Sequence, residues 1–232
     1  MVILGIDAST KTGSVALYDS EIGILSEINA NIKLNHSDSL MSIIDMVFSL
    51  GKLKPKDIDR VAVSIGPGSF TGIRVGVGTA KGLAFSIGCD IVGVNELDIL
   101  AYTVSQTSHK IISLIDARKE RTYYSVYRYN GDIIEKISEY GVNELRVILE
   151  DYKEEKVIFT GDGSITYKKV IDEVMGDNAI YNLKSNSMVR AGIMSEMARK
   201  KDPDNLYTME PYYISKTQAE REKEAREKRL NK

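Results

Sequence analysis

The first stretch of the sequence that could do chemistry is rich in glycine: SIGPGSFTGIRVGVGTAKGLA, residues 64–84. A glycine-rich loop between a strand and a helix is typical of phosphate sites, because its free backbone N–H groups point at the anion. A Walker loop has four residues between its glycines and then a lysine. Here five residues separate Gly66 from Gly72, and no lysine follows. The dinucleotide fingerprint fails too, since Gly68 and Gly72 are one residue too far apart. The sequence therefore disfavours an anion site at this loop.

Metal and nucleophile chemistry have little support elsewhere in the chain. The two histidines, His36 and His109, are far apart, and no histidine pair has metal-ligand spacing on one helix, so we expect no metal site. Ser69 has no Gly-x-Ser-x-Gly elbow with an ordered His and acid. Cys89, the single cysteine, lies in an apolar stretch typical of a small buried residue. We therefore expect no catalytic residue in this chain.

The elements around these residues predict an α/β fold. Three successive strands are expected in VILGIDAS, GSVALYD and GILSEINANI. The next segment, HSDSLMSIIDMVFSLG, has helical periodicity, with Ser37 or Asp38 placed to cap the helix and Gly51 to end it. A fourth strand, IDRVAVSIG, leads into the glycine-rich loop. The helix after that loop is predicted from about Phe70 to Phe85.

The same order of elements returns in the second half. The tripeptide at residues 6–8, Ile-Asp-Ala, recurs at residues 115–117, SVALYD is matched by SVYRYN, and Gly23 by Gly131. We infer an internal duplication with a period of about 110 residues. Each half then forms a lobe from a strand-strand-strand-helix-strand-helix unit. The predicted domains are residues 1–105, residues 106–215, and a charged helix or tail over residues 216–232.

This duplicated α/β pattern resembles the two-lobed actin-like ATPase (ASKHA, ribonuclease H-like) fold. In that superfamily a nucleotide lies between the lobes, and the first hairpin of each lobe cradles phosphates with an Asp followed by Gly. Here Asp7 and Asp116 are each followed by alanine, so the resemblance implies degenerate phosphate sites with weak or no ATP turnover. A strand-end aspartate that bonds its own turn is the simpler alternative, which we favour over catalysis. An ATP-binding enzyme of the actin-like or sugar-kinase class remains the alternative function.

Four segments resemble the TsaB (YeaZ) family more specifically: LGIDAST, GPGSFTGIRVGVGTAKGLA, LIDAR and EPYYISKTQAERE. The resemblance implies a non-catalytic subunit that binds and supports TsaD in N6-threonylcarbamoyladenosine modification of tRNA position thirty-seven. It also implies TsaE as a partner, a homodimer when the chain is alone, and tRNA contact only through the complex. No cofactor is expected beyond ATP or ADP held weakly at a partner interface. A stand-alone homodimeric interaction protein outside tRNA modification is a third alternative.

The helix after the loop contains glycines that need a reason, because each costs about 1 kcal/mol relative to alanine in a helix interior. Its small residues form two stripes along the helix. Small side chains that repeat every four residues let the backbone of another element approach closely. Apolar residues of the first helix also extend beyond one core stripe. TsaB proteins pair through these two helices, so the resemblance favours pairing over burial within a larger lobe. The predicted pairing face comprises Ser69, Gly72, Ile73, Arg74, Gly76, Val77, Ala80, Met41 and Phe48.

This face leads to a first expectation for mutagenesis. Gly76→Leu should abolish pairing and leave the fold intact.

The C-terminal residues carry less information about function. The pairs Glu222/Arg226 and Glu224/Lys228 favour a solvated helix, and Ser215 stands where the family commonly has Arg.

Composition excludes several classes of protein. Apolar residues make up 43% of the chain, enough for a full core, and the formal net charge of −2 gives no overall attraction to nucleic acid. No basic region precedes the N-terminal apolar run, and no uncharged stretch reaches the length of about twenty residues that a membrane span needs. We therefore expect a cytoplasmic protein without a membrane span.

Overall fold

Two mixed β-sheets with helices on their faces make up the fold, which a computed structural model describes for residues 1–31 and 36–214. The first half contains β1 (Val2–Asp7), β2 (Thr12–Asp19), β3 (Gly23–Asn31), α1 (His36–Gly51), β4 (Arg60–Ser64), α2 (Phe70–Ile87), β5 (Asp90–Val94) and α3 (Glu96–Tyr102). The second half contains β6 (Lys110–Asp116), β7 (Arg121–Asn130), β8 (Ile133–Lys136), β9 (Gly141–Glu144), α4 (Leu145–Glu150), β10 (Val157–Thr160), α5 (Asp162–Thr166), α6 (Lys168–Met175), β11 (Ala179–Tyr181) and α7 (Ala191–Ala198).

The strand order confirms the predicted duplication. The first sheet has the order β3-β2-β1-β4-β5, and the second has the matching order β8-β7-β6-β10-β11, with β9 pairing on β7. In both sheets the first strand pairs antiparallel with the second and parallel with the strand after the helix. The second turns match as well, since Gly23 and Gly131 both have positive φ. The fold is thus a two-lobed actin-like α/β fold.

The predicted repeat unit was one strand and one helix too short. The sequence reasoning missed β5 and α3 in the first half and their counterparts β11 and α7 in the second. Gly88 ends α2 in the left-handed conformation, at φ 79°, and β5 begins two residues later. A short strand within one apolar stretch gives no alternation of apolar and polar residues, so periodicity alone cannot separate it from the helix before it.

The last helix of each half packs on the sheet of the other half. Helices α1 and α2 cover one side of the first sheet, and α7 covers its opposite side, while α3 packs on β6 and β7. Gly5 lets α7 come close, because a Cβ atom there would lie 2.4 Å from Ser195 Oγ and 2.6 Å from the Ala191 carbonyl oxygen. Residue 105 therefore separates the two sheets along the chain, but it does not separate their helices.

The end of the described chain returns along the first sheet. The Asp204 amide donates to the Ile91 carbonyl over 2.8 Å, and the Tyr212 amide donates to the Ile65 carbonyl over 2.7 Å. Met209 between them is buried in the core beneath α2. The predicted charged helix over residues 216–232, Ser215, and the Ser37 and Asp38 side chains lie outside the described residues. None of the helices in the described part combines the length and apolar character that crossing a membrane requires.

Candidate functional site

The glycine-rich loop lies directly on the first hairpin turn. The Ser69 amide donates to the Ser9 carbonyl over 2.6 Å. A Cβ atom at Gly68 would lie 2.4 Å from that same carbonyl oxygen, and one at Gly72 would lie 2.0 Å from the Ala8 carbonyl oxygen. Only glycine permits so close an approach of two backbones. These two glycines therefore serve packing within the chain, and the loop covers Ala8 and Ser9 at the start of the first turn.

Asp7 lies beneath this loop and is fully buried. Its carboxylate accepts a hydrogen bond from the Ser9 amide over 3.0 Å and another from the Ser64 hydroxyl. The bonds hold Asp7 to its own turn and to the end of β4.

Glu96 is a buried acid that the sequence reasoning missed. It is the first residue of α3, after the Asn95 cap, and it is fully buried. Burial raises the pKa of Glu96 well above its usual range, and the charge of Asp7 raises it further, while the Ser9 hydroxyl and the Gly66 amide partly oppose the rise. An acid in the first turn of a helix is ordinarily exposed to solvent, where its negative charge interacts favourably with the positive end of the helix dipole. The sequence therefore carries no sign that Glu96 is buried.

The second hairpin holds its aspartate in a comparable way. The Asp116 carboxylate accepts from the Tyr167 hydroxyl and from the Arg118 amide, each over 2.7 Å. Burial raises the pKa of Tyr167 to about 12, and its hydrogen bond to Asp116 acts in the same direction. Both hairpin aspartates are thus bonded by donors of this chain. Within residues 1–31 and 36–214, no three His, Cys, Asp or Glu side chains are grouped closely enough to hold a metal ion.

The structure corrects the predicted pairing face. Phe48 of α1 is buried, and so are five residues of α2: Gly72, Ile73, Gly76, Val77 and Ala80. Their helix stripe packs on the first sheet, because the contact between the loop and the first turn places Ala8 beneath it. Assigning these six residues to a surface was wrong, and the exposed members of the predicted set are Ser69, Arg74 and Met41.

The other small stripe of α2 faces outward. Arg74, Gly78, Gly82 and Phe85 follow each other at three- or four-residue spacing and are all exposed. A Cβ atom at Gly78 or at Gly82 would meet no heavy atom within 4 Å. Packing within the chain therefore gives no reason for glycine at either position.

Helix α1, on the same side of the first sheet, adds large apolar side chains to this surface. Met41, Met46 and Leu50 are 45%, 55% and 66% exposed, and Phe85 of α2 is 65% exposed. Large exposed apolar patches mark interaction sites, and these four side chains lie on two neighbouring helices. The helix-pair surface is defined here as Met41, Met46, Leu50, Arg74, Gly78, Gly82 and Phe85.

An aromatic and arginine cluster lies at the start of α2. The Arg74 guanidinium is 3.8 Å from the Phe70 ring centroid, and its Nε donates to the Tyr213 hydroxyl over 2.9 Å. The rings of Phe70 and Tyr213 are 5.2 Å apart. A cavity of about 350 Å³ opens beside the cluster, between α2 and residues 209–213. Arginine and tyrosine are among the residue types most enriched at the energetic centres of protein interfaces.

Comparison with known proteins agrees with this architecture. Residues 22–223 match the family model described as "TsaD: tRNA N6-adenosine threonylcarbamoyltransferase". The chain is 28% identical over 226 residues to the "tRNA threonylcarbamoyladenosine biosynthesis protein TsaB" of Bacillus subtilis, covering 95% of this chain and 96% of the relative.

A protein of the same name from Buchnera aphidicola (subsp. Schizaphis graminum) is 32% identical over 175 residues, which are 73% of this chain and 80% of the relative. The solved structure "YeaZ from Pseudomonas aeruginosa" has a TM-score of 0.78 at 22% identity and covers 91% of this chain and 99% of that one. These similarities extend over most of both chains, and the chain therefore belongs to the TsaB (YeaZ) family.

Proposed function

We propose that the chain acts in tRNA threonylcarbamoyladenosine biosynthesis as a non-catalytic scaffold subunit that binds and supports TsaD through the helix-pair surface. The names of the curated relatives support the pathway. The observation that carries the scaffold role is the open space around Gly78 and Gly82. Two glycines that weaken an exposed helix by about 1 kcal/mol each, with nothing packed on them, fit a site where the backbone of another subunit lies close.

The similarity between this chain and the TsaD family supports a partner of the same fold. A family model with the name TsaD matches residues 22–223. A partner with that fold has an equivalent helix pair, so the two chains can meet around an approximate twofold axis. A second copy of this chain presents the same surface, which is the physical reason to expect a homodimer when TsaD is absent.

The contacts at the hairpins support a role without catalysis. Asp7 and Asp116 are bonded by donors of this chain, and the glycine-rich loop packs on the start of the first turn. We therefore place no nucleotide turnover on this chain, and we place any ATP or ADP at the partner interface. The formal charge of −2 supports tRNA contact through the complex, and TsaE is proposed to join the assembled pair.

A binding measurement with purified TsaD from the same genome tests the proposal. The double variant Gly78→Leu, Gly82→Leu adds bulk where a Cβ atom meets no atom of this chain. We expect its monomer to fold normally by circular dichroism and its affinity for TsaD to fall at least tenfold, measured by calorimetry. Lys169→Leu, which puts the same side chain on an exposed position of α6, should bind like the unaltered chain. Unchanged affinity of the double variant would refute pairing through this surface.

A further inference from the structure

A cavity of about 230 Å³ opens between the two lobes and shares no lining residue with the helix-pair surface. Its walls include the first turn at residues 10–12, helix α5, and the segment over residues 184–189. We propose that this cavity binds a small oxyanion, a carboxylate or phosphate metabolite smaller than a nucleotide. The cavity is separate from the surface proposed to pair with TsaD, so anion binding can be tested independently of that pairing.

The charges around the cavity favour an anion. Lys11 reaches it from the first lobe and Lys184 from the second. Neither ammonium forms an ion pair with another residue of the described part. The acid in the lining is Asp162, whose Oδ1 accepts a hydrogen bond from the Asp116 amide over 3.0 Å. Burial raises the pKa of Asp162, while the hydrogen bond from the Asp116 amide and the charge of Lys11 oppose that rise. The lining therefore contains two ammonium groups and one carboxyl group, a balance that favours an anion.

Hydrogen-bond donors and an apolar base complete the lining. Thr12 and Thr166 line the cavity, and within the described residues their hydroxyls are not engaged in side-chain hydrogen bonds, so both can donate to a ligand. Leu100, Ile115 and Val189 line it too and are buried. A few converging polar groups over an apolar base is the usual build of a small-molecule site. Ammonium and hydroxyl donors suit the oxygens of a carboxylate or a phosphate.

The size of the cavity separates this ligand from a nucleotide. Sites for drug-sized ligands usually enclose about 300–1,000 Å³, and this one is smaller. The hairpins that would hold nucleotide phosphates have their aspartates bonded within the chain. What remains between the lobes is room for a compact anion, in a cavity that Lys11 lines from the first lobe and Lys184 from the second.

Such a ligand would contact both lobes at once, so binding should stabilise the whole chain. At a hundredfold excess over the dissociation constant, we expect the melting temperature to rise by about 5 °C. The probes are inorganic phosphate, L-malate and ADP, each titrated separately into the full chain at constant ionic strength. A larger shift with phosphate identifies a phosphate ligand, and a larger shift with malate identifies a carboxylate ligand.

Two variants and a control decide whether the cavity is responsible. Lys11→Ala and Lys184→Ala alter exposed side chains, and each should weaken the effective probe at least tenfold by calorimetry while unfolding like the parent. Lys169→Ala removes an exposed lysine of α6 outside the cavity and should bind like the parent. The proposal is overturned if neither small anion raises the melting temperature, if both lysine variants bind normally, or if ADP binds more tightly than the small anions through the same lysines.

Discussion

Asp7 and Glu96 lie together inside the first lobe, both fully buried, at the C-terminal ends of β1 and β5. Two neighbouring carboxyl groups in a low-dielectric interior cannot both carry charge at acceptable cost. Asp7 has hydrogen-bond donors in the Ser9 amide and the Ser64 hydroxyl. For Glu96, burial and the charge of Asp7 raise the pKa well above its usual range. Burial and the neighbouring charge of Asp7 therefore favour the neutral form of Glu96.

This pair predicts how stability changes with pH. The pKa of Glu96 is higher in the folded chain than in the unfolded chain, so the folded state holds an extra proton at any pH between the two values. The stability that Glu96 contributes is therefore fully present below the pKa of the unfolded chain, near 4.5. It is lost as pH rises from there through the higher pKa of the folded chain. Glu96→Gln, which mimics the neutral acid, should raise the free energy of unfolding at pH 8 and flatten the decline of that free energy as pH rises above 4.5.

Urea unfolding at several pH values measures this effect. Glu120→Gln, at an exposed position of the second hairpin turn, is the matched control and should leave the pH profile unchanged. A Glu96→Gln variant that is less stable than the parent at every pH would mean that Glu96 is ionised and held by favourable contacts.

The duplication and the succession of the first elements in each half could be predicted because local patterns of the sequence carry them. The two Ile-Asp-Ala tripeptides end β1 and β6, and Gly23 and Gly131 take the turns after β2 and β7. The orientation of α2 could not be predicted, since the helix has small residues on two sides. A tertiary contact decides it, the bond of the Ser69 amide to the Ser9 carbonyl. The burial of Glu96 could not be predicted for a similar reason, because it depends on how α3 packs.

The two stripes of α2 should respond oppositely to an added methyl group. Gly72→Ala would place a Cβ atom 2.0 Å from the Ala8 carbonyl oxygen, so we expect a loss of about 1–3 kcal/mol in the free energy of unfolding. Gly76→Leu should also destabilise the fold, contrary to the expectation from sequence, because Gly76 is buried on the first sheet. Urea denaturation of the isolated chain measures both losses, and parent-like stability of Gly72→Ala would contradict the described contact.

On the outer stripe, Gly78→Ala and Gly82→Ala should stabilise the isolated chain by about 0.5–1 kcal/mol each. Both positions are exposed, and a Cβ atom there meets no atom of the chain within 4 Å. The same variants should weaken the complex with TsaD, because the added methyl group holds the partner's backbone away. Calorimetry beside urea denaturation separates the two effects. A variant that gains stability and keeps full affinity would show that these glycines do not serve close approach.

Arg74 should contribute to binding and contribute little to folding. Its guanidinium stacks on Phe70 and bonds the Tyr213 hydroxyl, but the arginine is exposed, so Arg74→Ala should change the free energy of unfolding by less than about 1 kcal/mol. Affinity for TsaD should fall about tenfold or more, as is common when an arginine at the centre of an interface is truncated. Arg74→Lys should not restore it, because an ammonium lacks the planar group that stacks on a ring. Arg199→Ala, at an exposed position after α7, serves as the control and should bind like the parent. Full affinity in Arg74→Ala would place the energetic centre of pairing elsewhere on the helix-pair surface.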